Sequence, residues 1–121
     1  MRYHRRMDIE ALQKALADFS AERDWERFHS PKNLAMALAA EAGELLELFQ
    51  WLSEPESGQL DAVQRAAVEQ ELADVLIYLL RLADRLDVDI DGAVARKMQI
   101  NAAKYPVALA RGNATKYNRR D

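Results

Sequence analysis

A chain of 121 residues with 50% hydrophobic content has the length of one domain of common size and enough apolar mass for a core. It contains no cysteine, which excludes a disulfide framework and a thiol site, and its net charge of −3 with a pI near 5.4 argues against a duplex-DNA binder working through a basic surface. No apolar run approaches the roughly 20 residues that span a bilayer, and Arg2, Arg5 and Arg6 lead into a mixed helix with no apolar signal core behind them; the expectation is a cytoplasmic protein with neither membrane nor nucleic acid as partner.

In chain order, residues 1–7 read as a basic arm. Asp8 is a plausible N-cap for a helix from about Ile9 to Glu22, whose apolar stripe is Ile9, Leu12, Ala15, Leu16 and Phe19. The pattern lapses from Asp24 to Ser30, where Trp25 and Phe28 either plug the end of a bundle or meet a ligand beside His29. Ser30-Pro31 starts a second helix running to about Leu52, and Pro55 with Gly58 marks a loop. Asp61 caps a third helix to about Leu86, with apolar residues at 68, 72, 75, 79, 82 and 86 and also on its other side at Ile77, Tyr78 and Leu80. A helix apolar nearly all round is buried, so other subunits are expected to cover part of it. A fourth helix spans about Ile90 to Lys104 and ends at Tyr105-Pro106, because the residue before proline disfavours helix. The reading is all-α: a four-helix bundle-like protomer over residues 8–106 that assembles into an oligomer, followed by a mobile basic tail at 107–121.

Two acidic pairs stand inside the most apolar stretches, Glu41-x-x-Glu44 and Glu71-x-x-Asp74. Residues three apart share a helix face, so each pair aims an acidic patch one way, and antiparallel neighbours could bring the patches together. A lone pair of this kind reads as solvated charge, but Asp74 is the only charged residue from Leu72 to Leu80, and Glu41 falls within the apolar spacing of Leu34, Leu38, Leu45 and Leu48. Four converging carboxylates need cations between them, and an all-oxygen site beside phosphates suits magnesium. Gly43, which costs roughly 1 kcal/mol against alanine in mid-helix, points to the close approach of a backbone or a ligand. A di-iron bundle fails for want of a second Glu-x-x-His, and there is neither a P-loop nor a placeable nucleophile–histidine pair.

The two pairs, 26 residues apart, together with AERDWERFH at 21–29, EAGELLELFQW at 41–51, QELADVLIY at 70–78, and KMQIN and KYP within 97–106, resemble the MazG-like all-α nucleoside triphosphate pyrophosphohydrolases, most closely the dCTP pyrophosphatase branch. One departure is Leu16, where animal members of that branch carry a histidine. The resemblance covers roughly residues 8–117. It implies a magnesium-dependent homotetramer that hydrolyses a nucleoside triphosphate, dCTP or a modified dCTP, to monophosphate and pyrophosphate in nucleotide pool control. By resemblance, Glu41, Glu44, Glu71 and Asp74 hold metal, with Glu41 and Glu44 also the catalytic candidates, and Trp25, His29, Trp51 and Tyr78 form the base and sugar pocket. Lys97, Asn101, Lys104 and Tyr105 resemble substrate contacts, although Lys104 equally suits a solvated face. The alternatives left open are a dUTP or damaged-nucleotide hydrolase and a non-catalytic nucleotide-binding or oligomerisation module. Trp25 and Trp51 would flank a helix roughly 30 Å long, so Trp25 and His29 are expected to serve the acids and Trp51 of another chain unless the loop before Ser30 folds back.

Overall fold

The computed structural model describes residues 7–119, so all but the last residue of the arm expected at 1–7 and the last two residues of the expected tail lie outside the described residues. The first five helices each start where a side chain can satisfy an orphan N–H of the first turn. Asp8 accepts from the Ala11 N–H at 3.1 Å at the head of α1, Ile9–Glu22. Ser30 accepts from the Asn33 N–H at 3.2 Å ahead of α2, Pro31–Glu47, with Pro31 at the position that needs no donor. Reciprocal caps, Ser53 with Glu56 and Asp61 with Gln64, open the short α3, Glu54–Ser57, and the long α4, Ala62–Arg85. Asp89 accepts from the Gly92 N–H at 3.1 Å and begins α5, Ile90–Lys104, which is followed by a single turn, α6, Val107–Ala110.

No strand occurs among the described residues, so the chain is all-α as expected. Two expectations change. The second helix stops at Glu47 rather than near Leu52, because Ser53 and Glu56 pull the chain into a new capped turn; on the way the Leu48 and Phe49 N–H groups tighten to three-residue bonds at 3.2 and 2.9 Å. The stretch read as a mobile tail carries α6 and a 3₁₀ turn at Tyr117–Arg119: the rings of Tyr105 and Tyr117 meet edge to face at 6.1 Å, and the Lys104 ammonium lies 4.6 Å above the Tyr117 ring.

The described residues form two compact units that part between Asp87 and Val88. In the first, α4 is the central element: α2 packs along it, and α1 packs against it with Gln13 donating to Asp84 at 3.1 Å. Leu34, Val68, Leu80 and Ala83 are its buried apolar side chains, with Leu34 and Leu80 each 1% exposed. Met36 and Leu46 on α2 stay exposed, as do Leu72, Leu79 and Leu86, which recur every seven residues along α4. The second unit carries α5 and α6. No helix among the described residues is long and apolar enough to cross a membrane.

Candidate functional site

α2 and α4 bring three of the four acids together. Glu41, Glu44 and Glu71 each offer an oxygen within 4.8 Å of the others, Glu44 exposed and the other two half-buried. An oxygen of Glu41 and one of Glu71 are buried without a hydrogen-bond partner, and two carboxylates facing each other have no donor between them unless a proton is retained. The Glu41 carboxyl is accordingly pushed up to about 7, first by sharing a proton with Glu71, then by burial, and then by the charges of Glu44 and Asp74. Orphaned oxygens, mutual repulsion and an oxygen-only donor set are what a hard divalent cation relieves, so these residues fit the metal expected of them.

Asp74, one turn beyond Glu71, takes a second position: it acts on the charge of Glu41 and also lines an adjoining cavity of about 330 Å³. On α4 the cavity wall continues through Ile77, Tyr78 and Arg81, which follow Asp74 at three, four and seven residues and so share its face. Leu16, Phe19 and Ser20 supply the α1 wall at the same helical spacing. Trp25 and His29 supply the third side.

The turn that ends α1 explains how Trp25 arrives there. Asp24 adopts φ +54, its N–H bonds the Ala21 carbonyl at 3.1 Å, and the Trp25 N–H bonds the Ser20 carbonyl at 3.0 Å. This is the Schellman pattern, whose left-handed residue reverses the chain and lays the next side chain back on the helix. The Trp25 ring meets Phe19 edge to face at 5.7 Å, and His29 follows at 6.3 Å from Trp25. Arg23 closes over the Phe19 ring at 3.5 Å. The loop before Ser30 thus folds back, and Trp25 and His29 share a cavity with Asp74 and Tyr78 of their own chain. That is the folded-back arrangement the expectation kept as its alternative, and it joins Trp25 and His29 to Asp74 within one chain.

His29 has its pKa lowered by burial and by the charges of Arg81 and Arg85, so its ring is neutral at pH 7, and its Nδ1 has no partner. Trp51 does not line the cavity: it lies in the turn after α2, 87% exposed. Lys97, Asn101 and Lys104 lie on α5 and Tyr105 caps it, all in the second unit. Among the described residues, nothing beyond Gly43's chain neighbours and the nearby backbone of its own helix comes within 4 Å of a Cβ placed on it, so none of them makes the close approach inferred from that glycine. Sequence reasoning missed Phe19, Ser20, Ile77 and above all Arg81. The last is 4% exposed; its Nη1 reaches Asp84 at only 3.4 Å, and its Nε has no partner. A buried donor left unmade costs about 1–3 kcal/mol. The signal was available, since Arg81 falls two turns from Asp74 on the same face.

Comparison with known proteins identifies the family. The MazG-like family model matches residues 36–119. The chain is 52% identical over 111 residues to dCTP pyrophosphatase 1 of Rattus norvegicus and 50% identical over 111 residues to that of Homo sapiens, in each case over 90% of this chain and 65% of the relative. It therefore spans just under two thirds of the length of these relatives. A pyrophosphatase from Archaeoglobus fulgidus DSM 4304 superposes with a TM-score of 0.77 at 42% identity, covering 88% of this chain and 99% of its own. With its acidic pairs and the cavity wall of α4 inside the matched region, the chain belongs to the MazG-like family.

Proposed function

We propose that this chain is a magnesium-dependent nucleoside triphosphate pyrophosphohydrolase of the cytoplasm, converting dCTP or a modified dCTP to the monophosphate and pyrophosphate in control of the nucleotide pool. The observation that carries the reading is the position of Asp74, on the wall of an aromatic cavity and beside the converging Glu41, Glu44 and Glu71. A base held by Trp25, His29 and Tyr78 would leave its phosphates over the acids. The similarity to proteins named dCTP pyrophosphatase supports this substrate.

Glu41, Glu44 and Glu71, with Asp74 at the cavity edge, would hold the ion. When bound, magnesium supplies positive charge to triphosphate oxygens and lowers the pKa of a nearby water. Glu41, whose carboxyl is pushed up to about 7 by its neighbours when no metal is bound, and Glu44 alongside it are the proposed proton acceptors. The aromatic walls orient the base and exclude water. Lys97, Asn101, Lys104 and Tyr105 are further proposed substrate contacts. The proposal includes assembly of protomers with four long helices into a homotetramer. It is supported by the exposed Leu72, Leu79 and Leu86 on α4 and by the open surface at Gly43, which leaves room for a neighbouring helix.

The test is a panel of the four deoxynucleoside triphosphates and dUTP with magnesium, following monophosphate and pyrophosphate by chromatography. Preferred turnover of dCTP is expected, abolished in Glu44→Gln and Asp74→Asn. Release of orthophosphate, or turnover by Glu44→Gln near the unmodified rate, would remove the reading.

A further inference from the structure

We infer that Arg81 is the base-reading residue of this chain, its buried guanidinium donating to the two adjacent acceptors of a cytosine ring, the N3 nitrogen and the O2 carbonyl. The inference rests on the proposed function, which puts a nucleotide base in the cavity beside the acids. Arg81 lines that cavity, is 4% exposed, and carries an Nε with no partner among the described residues. It reaches Asp84 at 3.4 Å, and Asp84 is also engaged by Gln13 at 3.1 Å. A guanidinium has five donors in a planar fork and no acceptor. Placed in a cavity whose α1 wall is formed by Leu16, Phe19 and Ser20, it offers paired N–H groups to whatever enters.

The ring chemistry then discriminates. Cytosine presents N3 and O2 side by side as acceptors, matching a fork of two donors. Uracil and thymine carry a hydrogen on N3, so the same edge sets donor against donor, a repulsive element that binding cannot easily absorb in a dry site. Lysine, a point charge, cannot reproduce the two parallel bonds.

The experiment measures kcat and KM for dCTP, dTTP and 3-deaza-dCTP, in which a ring C–H replaces the N3 acceptor, on the full chain and on Arg81→Met and Arg81→Lys. A guanidinium pairing with two base acceptors discriminates by roughly ten- to a hundredfold. The unmodified protein is expected to lose that factor in kcat/KM on 3-deaza-dCTP relative to dCTP, chiefly through KM. Arg81→Met should lose it on dCTP while gaining on dTTP, because the donor-against-donor clash has gone, so that its selectivity collapses, and Arg81→Lys should recover only part of it. Equal turnover of dCTP and 3-deaza-dCTP by the unmodified protein overturns the inference even if the variants fail to fold, as does an Arg81→Met protein that slows equally on every nucleotide. Failure of the unmodified protein to hydrolyse any triphosphate overturns the proposed function and this inference together; dCTP turnover without the 3-deaza penalty overturns this inference alone.

Discussion

A proton on Glu41 ties the acidic cluster to pH. An ordinary glutamate titrates at 4.5, whereas this one is pushed up to about 7, first by Glu71, then by burial, Glu44 and Asp74. Between those values the folded chain holds a proton that the unfolded chain has released, so stability without metal falls as pH rises through that window and is level above it. Urea midpoints taken without divalent ions at about pH 5 and about pH 8 should therefore decline, and Glu41→Gln should flatten the decline. Magnesium competes with the same proton, so its affinity should rise over that interval. Gly43 makes a second residue-scale prediction. In its own chain the space around it is open, so Gly43→Ala should stabilise the isolated subunit by about 1 kcal/mol. If a second copy occupies that space, the same change should weaken assembly in a concentration-dependent unfolding curve, and stabilisation without loss of assembly would show the space to be unused. Arg81 was as legible in the sequence as Tyr78, since both follow Asp74 on one face. It was overlooked because a charged residue at the end of an apolar run reads as the return of a polar face, and its burial depends on α1 covering it.

Among the elements, the turn after α1 sets the cavity's third side, because it delivers Trp25. Asp24 stands at φ +54, where a β-branched residue is strained by roughly 1–2 kcal/mol and glycine is not. Asp24→Gly should keep both stability and KM, whereas Asp24→Val should lower the urea midpoint and raise KM as Trp25 leaves the cavity; a Val variant with unchanged KM would detach the turn from the site. The start signals of α1, α2, α4 and α5 were legible because each is a local side-chain bond written in consecutive residues, Asp8, Ser30-Pro31, Asp61 and Asp89. The end of α2 was not. The apolar spacing runs on through Leu48 to Leu52, and only the reciprocal pairing of Ser53 with Glu56 outweighs it. Misplacing that end put Trp51 on a helix and opposite Trp25. The fold-back of Trp25 was equally hidden, because it needs an aspartate in a glycine-like conformation.

For the molecule as a whole, the acids were legible as a candidate metal cluster from their spacing inside apolar stretches, but their arrangement, three together and Asp74 toward the cavity, needed the packing of α2 on α4. Assembly is tested by mixing variants under conditions that exchange subunits. Trp25→Ala with Asp74→Asn should show no recovery, since both residues line one cavity of one chain and every chain then carries a defect in its own cavity. With Trp51, 87% exposed and outside that cavity, Trp51→Ala mixed with Glu44→Gln should recover part of the activity if a neighbour lends its tryptophan. Sedimentation at micromolar protein should show a species well above 13.8 kDa; a single species at that mass would remove the exposed leucines of α4 as an interface.

The two tryptophans differ in setting, Trp25 in the cavity at 42% exposed and Trp51 in solvent at 87%. The protein thereby carries two intrinsic fluorophores that report on separate events. Trp51→Phe would leave a single emitter against His29, whose quenching on titration with a nucleotide reads ligand occupancy directly. Trp25→Phe would leave one emitting at the long-wavelength limit of a hydrated indole, and a blue shift on concentration would report its burial by another subunit without any label.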